Sequence, residues 1–508
     1  MNKKIIITII AIICIAIIAI FAINKVKAND VNYKIAQVEN YNYFKYHSDE
    51  KVGVIDRNGN TVIGARFDDI IIPNPEKDIF ICYSQNTRTI LNASNERLFE
   101  KYDDVEPIEL KNIVSILGYE KSVLKYKKDE KYGLVDFQGN ETVKNIYDSI
   151  ENLQGAEGKF LVSKEGKYGV INLNGTVLVN CEYDSIKSDG YYSENTKYIN
   201  SGFITAVKTS EGYRYGYIEY NGNETLKAEY NSIDRVPDKE EVYLIASKDG
   251  RYGLYKGSKE IIATEYQDIS YCENGALIIQ KNKNYGIATL DGKIVVDTKY
   301  ANIESKGIYL YAQNANENIV FDVNGEKTDI NYNKVVYETE SEEYRIFTFM
   351  NNNVIYYGIE NKNGVTVVQP SYSYIEYAYN DYFVAKDESG NLGVINANGK
   401  VLLDFKYDTL QKIKGKNILQ SIATKSDETE IYSSKLENVC TIKNAKVDNE
   451  NGYLAVFNDE ETFYFDNNGN KLEESSETLK NVKLKNFPET IGNYKKIQAS
   501  LDNIYYEI

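Results

Sequence analysis

Tryptophan is absent from the 508 residues, histidine occurs once and proline only six times. One histidine cannot build a two-histidine metal motif, and no Ser-His-Asp or Cys-His set can be assembled around it. Within Tyr46-His47-Ser48-Asp49 it reads as a surface turn residue. The shortage of proline removes the main breaker of strand ladders. The five cysteines, Cys14, Cys82, Cys181, Cys272 and Cys440, are odd in number, widely spaced and never arranged as CxxC. Neither a disulfide framework nor a zinc site follows, and the four beyond the N-terminal leader read as small buried residues. No Gly-x-Ser-x-Gly elbow and no phosphate-binding glycine loop with its lysine is present. The sequence therefore nominates no catalytic, cofactor-binding or metal residue, and no enzyme is expected.

Basic residues are outnumbered: 59 Lys and Arg stand against 75 Asp and Glu. The imbalance falls after residue 28, where 75 acids meet 55 bases, a net of −20. Such a surface repels phosphate backbones and anionic headgroups, so nucleic acid is not an expected partner and cationic partners are favoured. Against these scarcities stand 46 tyrosines, strand-forming aromatics that point to β structure throughout.

The one long apolar run is Ile5–Ile23, uncharged, preceded by Lys3-Lys4 and followed by Lys25 and Lys27. At about 1.5 Å per residue it comes close to spanning ~30 Å of hydrocarbon. Residues 1–28 are expected to be a retained membrane anchor. Val26-Lys27-Ala28 offers the alternative of a signal cut after Ala28, giving a secreted product. Either way the remainder is expected outside the cytoplasm. Cys14 follows Ile13, where a lipoprotein signal requires a small residue, so acylation is discounted.

Aligned against itself, the chain shows one pattern with fixed internal spacing. Its clearest copy is Lys167-Tyr168-Gly169-Val170-Ile171-Asn172-Leu173-Asn174-Gly175, closing with Glu182-Tyr183-Asp184-Ser185-Ile186. The opening glycine recurs as Gly53, Gly133, Gly216, Gly253, Gly286, Gly358 and Gly393. Six residues on comes a second glycine after Asn, Asp or Gln, at Gly59, Gly139, Gly175, Gly222, Gly292, Gly364 and Gly399, the signature of a tight hairpin. An aromatic closes each copy: Phe67, Tyr147, Tyr183, Tyr230, Tyr266, Tyr300, Tyr372 and Tyr407. Degenerate copies fill the gaps at Lys101-Tyr102-Asp103-Asp104-Val105 and at Asn324-Gly325 with Tyr332. Two more are placed near Ile431-Tyr432 and at Phe463–Gly469. The total is about twelve units of roughly 37 residues.

Period-two alternation and turn chemistry turn each unit into a four-stranded antiparallel meander, with the Tyr183–Ile186 segment as its short fourth strand. The expected fold is all-β, a tandem array that is β-propeller-like, in one or two rings, or an open β superhelix. About twelve units exceed one ring of four to eight blades. The array is divided into halves within 270–310, giving 29–290 and 291–508. The opening glycine is expected to admit a close backbone, and the aromatics to fill the space between sheets.

The motifs Lys131-Tyr132-Gly133-Leu134-Val135-Asp136 and Lys167-Tyr168-Gly169-Val170-Ile171-Asn172, with their Asn-Gly and Tyr-Asp-Ser-Ile continuations, resemble the WG-repeat (KWG) β-repeat proteins over roughly residues 40–475. Tyr stands where that family has Trp. The resemblance implies an all-β repeat fold, commonly bacterial and often exported. It implies no activity and transfers no site residue.

Asp56-Arg57-Asn58-Gly59 and Asp466-Asn467-Asn468-Gly469 resemble calcium loops but lack the distal bidentate Glu, so hairpins are expected. The leading functional expectation is a non-catalytic extracytoplasmic binding or scaffolding protein, its acidic Tyr-rich surface meeting a protein or a cell-envelope polymer. A carbohydrate-binding module is the first alternative and an envelope hydrolase the second. A row of exposed rings would favour sugar; rings buried between sheets favour protein binding or pure structure. The hydrolase needs two carboxylates about 5–9.5 Å apart in a cleft.

Overall fold

The computed structural model describes residues 41–473 apart from 49, 86, 112–115, 157, 193–197, 238, 424–426 and 451–452, together with the backbone of 490–491, 494–500 and 503–507. The anchor and cleavage expectations for residues 1–28 lie outside the described residues. Among the described residues every regular element is a strand. No helix there is long and apolar enough to cross a membrane. The described residues divide into two compact units, those within 1–250, 255–260 and 483–508, and those within 251–254 and 261–482.

The unit of construction is clearest around Gly169. Ser149–Asn152, Lys159–Lys164, Lys167–Asn172 and Val177–Tyr183 form one four-stranded antiparallel sheet in chain order. Its third strand explains the unbroken apolar run of the motif. Ile171 packs with Leu134, Tyr147 and Phe160 on one face, while Val170 packs with Tyr183, Phe203 and Ile218 on the other. A strand covered on both faces needs apolar residues without alternation. Each such fully buried side chain contributes about 1.5–3 kcal/mol.

The opening glycine is dictated by its neighbour strand. Tyr168 faces Tyr183 and Val170 faces Val179, so the partner strand inserts extra residues opposite Gly169. A Cβ there would lie 2.5 Å from the Val179 carbonyl oxygen and 2.9 Å from the Asn180 carbonyl carbon. The same register shift recurs at the copies opened by Gly53, Gly133, Gly216, Gly286, Gly358 and Gly393. The second glycine serves the turn: Gly175 has φ +83°, and its N–H donates to the Asn172 carbonyl at 3.0 Å.

One expectation is corrected. Tyr183–Ile186 is not the fourth strand of its own sheet: Tyr183 ends Val177–Tyr183, and Ser185–Tyr192 opens the next sheet against Tyr198–Thr209. Asp184 between them makes the break. Its N–H donates to the Ala206 carbonyl at 2.9 Å and its carboxylate accepts the Lys208 N–H at 2.7 Å, both on the next sheet. Each motif therefore lends its tail to its successor. At Val401–Lys412 the strand runs through Tyr407 without a break and joins two meanders into a seven-stranded sheet.

The degenerate copies follow the same plan. Tyr102 is buried and Asp104–Glu106 opens a four-stranded sheet, Gly325 has φ +77°, and Thr462–Phe465 with Gly469 at φ +82° belongs to a four-stranded sheet ending at Lys471–Leu472. His47 is a second correction. It lies in the strand Tyr43–Ser48, paired with Val52 on one side and Glu507 on the other, because the turn falls beyond Ser48, where Glu50 takes φ +61°. Of the four cysteines, Cys82, Cys272 and Cys440 are buried as expected, whereas Cys181 is half-buried, and all are free thiols. Burial pushes the Cys82 thiol up to about 12 and that of Cys440 to about 11.

Candidate functional site

What the recurring residues do decides which surface is left for a partner. In six copies the residue after the closing aromatic, Asp68, Asp103, Asp148, Asp184, Asn231 or Gln267, caps the next hairpin, whereas Ala301 has no side-chain acceptor with which to do so. Asp103, Asp148 and Asp184 accept backbone N–H bonds from Asp129, Glu165 and Lys208 at 2.9, 2.6 and 2.7 Å. Asn231 and Gln267 do the same for Asp249 and Lys283, each at 2.8 Å. In three copies the lysine two residues before the opening glycine closes a clasp on this acid: Lys51 with Asp68 at 2.5 Å, Lys131 with Asp148, and Lys167 with Asp184 at 2.7 Å, each 17 residues apart. Hydrogen bonds from the lysines, then from the turn N–H groups, hold Asp68, Asp148 and Asp184 below the usual carboxylate range.

The two calcium-like turns are hairpins whose acid is already engaged. Asp56 Oδ1 accepts the N–H groups of Asn58 and Asn60 at 2.8 and 2.9 Å, and Oδ2 accepts Asn60 Nδ2 at 2.8 Å. Asp466 is bound in the same way by Asn468 and Asn470. Burial works to raise both acids, and these hydrogen bonds outweigh it, keeping them below the carboxylate range.

The closing aromatics are core residues. Phe67, Tyr147, Tyr183, Tyr266, Tyr300 and Tyr407 are buried, and Tyr230 and Tyr372 half-buried. They do not form an exposed row. The exposed tyrosines among the described residues are Tyr192, Tyr213, Tyr337 and Tyr374.

Two of these four share one groove in the second compact unit. It lies between the sheet of Lys334–Tyr337, Tyr344–Asn351, Val354–Asn361 and Thr366–Tyr372 and the next strand, Tyr374–Tyr377, with a cavity volume of about 660 Å³. Buried Ile346 and Ile375 form its floor. Tyr337 and Tyr374 stand at its rim, 41% and 36% exposed, and the Tyr357 ring tilts at 53° to Tyr374 with centroids 5.9 Å apart. Its three acids are all engaged. Glu338 accepts Arg345 Nε at 2.8 Å and Lys362 Nζ, Glu340 pairs with Lys412 at 2.5 Å, and Glu376 accepts the Tyr374 hydroxyl at 2.6 Å. Burial, reinforced by Glu376, pushes the Tyr374 hydroxyl far above its ordinary value, so it remains a donor at neutral pH. Glu338 would be raised by burial, but Lys362 and Arg345 hold it below the glutamate range. It is thus a fixed acceptor, not a proton donor.

A second polar cluster is interior, in the first unit. Arg235 Nη1 lies 3.2 Å from Asp189, whose carboxylate also accepts the Tyr217 hydroxyl at 2.8 Å; both charged side chains are at most 10% exposed. This is the buried kind of ion pair, where removing one partner strands the other.

The matched family decides what the motif is. The model described as "WG containing repeat" matches residues 53–76, 132–168, 168–195 and 393–415. The chain carries WG-containing repeats. The matched segments cover well under half of it, yet the copies opened by Gly216, Gly286 and Gly358 share the register shift of the matched WG repeats. The three clasped copies overlap matched segments, with Lys51 and Lys131 just before the ones that begin at residues 53 and 132. The comparison with curated proteins returned no match. Among solved structures, similarity was found to a eukaryotic initiation factor (10% identity, 63% of this chain and 95% of that one, TM-score 0.31). The extracellular domain of what is described as a hybrid two-component system of B. thetaiotaomicron gives 11% identity, 84% and 68% coverage, and a TM-score of 0.19. PorZ, a surface component of the type-IX secretion system of Porphyromonas gingivalis, gives 8%, 86% and 65%, with a TM-score of 0.17. Scores this low support no conclusion about activity, location or partner.

None of the groove residues was singled out in the sequence. Tyr337 falls outside the motif and Tyr374 occupies a position held by Ser in the clearest copies, so only the departure from the repeat's own pattern marked it.

Proposed function

We propose that this protein is a non-catalytic binding or scaffolding protein acting outside the cytoplasm, its sheets stacked in the manner of propeller blades and its acidic, Tyr-rich surface presented to a protein or a cell-envelope polymer. One observation carries the reading: the recurring residues are spent inside the repeat. Gly169 lies against backbone, Tyr183 fills the core and Asp184 caps the next hairpin. The array thus builds extended surface from residues that are free to differ between copies. The apolar run Ile5–Ile23 supports export or membrane insertion.

The test is co-sedimentation of the full chain with envelope fractions of the producing organism, followed by a wash at about 1 M salt, where the screening length falls to ~3 Å. Recovery that survives the wash, without release of soluble fragments, is the expected result. Complete loss on washing would reduce the association to non-specific charge. Release of fragments would make the protein a hydrolase.

A further inference from the structure

We infer that the groove between Tyr337 and Tyr374 is a binding site for a neutral, polyhydroxylated glycan. The inference rests on the binding-protein reading above and names the ligand class of one site.

The groove is an open depression of about 660 Å³, of small-molecule size, and it combines an apolar floor with a few placed polar groups. Charge balance then selects the ligand. The chain as a whole is strongly acidic, but here Glu338 is held by Arg345 and Lys362, and Glu340 by Lys412. A cationic ligand would have to displace those partners and recover only what they already supply. A neutral polyol needs no such exchange: an ionised carboxylate offers about four acceptor sites, of which these bonds use one or two. Glu376 keeps acceptor capacity beyond its bond from the Tyr374 hydroxyl.

The rings divide in the same way. Tyr377 already carries the Lys412 ammonium 5.9 Å from its centroid, whereas Tyr337 and Tyr374 present the exposed ring surface of the groove. An aromatic face beside hydrogen-bonding groups suits the apolar C–H face and hydroxyl edge of a pyranose. The carboxylates are pinned before a ligand arrives, so little ordering remains to oppose binding.

Affinity gel electrophoresis of the full chain tests this, in a detergent without a sugar headgroup, with hydroxyethyl cellulose, laminarin or mannan in the gel and polylysine in a parallel gel. The wild type should be retarded by at least one neutral glycan. Tyr337→Ala with Tyr374→Ala should weaken that retardation by about tenfold or more, the expected loss of two stacking rings. Tyr213→Ala, which removes an exposed ring elsewhere, should leave it unchanged. Near-ultraviolet circular dichroism matching the wild type establishes that the double variant is folded, and Tyr374→Phe, which keeps the ring, should retain most of the retardation. No retardation by any glycan, or equal retardation of the double variant, overturns the inference. So does retardation by polylysine alone that disappears in Glu340→Gln. If the double variant still co-sediments with envelope fractions as the wild type does, the binding-protein reading stands and the glycan groove falls.

Discussion

The copies opened by Gly169 and Gly358 share the bulged strand pairing, but the hairpin before the glycine has 8-residue arms in the second against 6-residue arms in the first, and what faces solvent differs. In the first, Tyr168 faces Tyr183 and Val170 faces Val179; in the second, Tyr357 faces Tyr372 and Ile359 faces Val368. Yet Lys167 and Asp184 of the first are replaced by Tyr356 and Ser373, and the clasp is gone. The hairpin before the glycine changes too. Lys164-Glu165-Gly166-Lys167 is charged, whereas the corresponding tip carries Met350, Val354 and Ile355, each about half exposed. Where the first copy has Ser185, the second has Tyr374, a wall of the groove. The bulge and its glycine therefore define the repeat, and the clasp is an optional fastening. In the Gly358 copy its loss leaves a ring, Tyr356, at the lysine position and a serine, Ser373, at the aspartate position.

A buried ion pair calibrates what the exposed clasps are worth. Arg235→Ala leaves Asp189 in the interior without its charge partner, and stability measured by denaturant unfolding should fall by about 3–5 kcal/mol. A loss no larger than that of a clasp variant would mean that burial does not separate the two kinds of pair. Next come the glycines. A Cβ at Gly169 or Gly358 would stand 2.5 or 2.6 Å from a carbonyl oxygen of the bulged strand. Gly169→Ala and Gly358→Ala should each cost roughly 3 kcal/mol through overpacking. Gly364→Ala meets no atom within 4 Å and strains only its φ of +80°, so about 1 kcal/mol is expected. Tolerance of Gly358→Ala alone would break the comparison, because the two copies would then not share a bulge of equal rigidity.

The clasps predict a pH dependence. Asp68, Asp148 and Asp184 titrate below the ordinary carboxylate value when folded, so the unfolded chain takes up protons first as pH falls. Their contribution is fully present above about pH 4 and is lost as pH drops through the folded values. Asp148→Asn with Asp184→Asn should lower the thermal midpoint at neutral pH, and the gap from the wild type should close on acidification below that point. A gap independent of pH would show that the turn caps, which Asn231 and Gln267 also make, matter and the charge does not.

Much of the repeat was legible because its signals are local. Gly175 followed Asn174 and took positive φ; the apolar run around Val170 was a strand buried on both faces. The fourth strand is misread because Tyr183-Asp184-Ser185-Ile186 recurs as one block of the motif, while the break at Asp184 depends on hydrogen bonds to Ala206 and Lys208, more than twenty residues away. The spacing of lysine and aspartate was present in three copies, but side chains 17 residues apart meet only once the hairpin has folded back. Asp189 and Arg235, 46 residues apart and outside the motif, left no periodic trace. The groove was hidden for the same reason: Tyr337 and Tyr374 belong to strands of different sheets, and only the stacking of those sheets makes them one wall.

The smallest effect is the sharpest test of whether the clasp is truly optional. Tyr356→Lys with Ser373→Asp would rebuild it in the copy that lost it, at the same spacing as Lys167 and Asp184. The backbone register is already in place, since Tyr357 faces Tyr372 as Tyr168 faces Tyr183. A new exposed pair should add a fraction of ~1 kcal/mol at low ionic strength and nothing measurable at high salt. A double-mutant cycle against the single variants isolates the pair from the loss of the Tyr356 ring. Coupling of several kcal/mol would mean the clasp organises the bulge; coupling near zero at every ionic strength would mean Ser373 sits where no clasp can form, and the two copies differ in their bulged pairing after all.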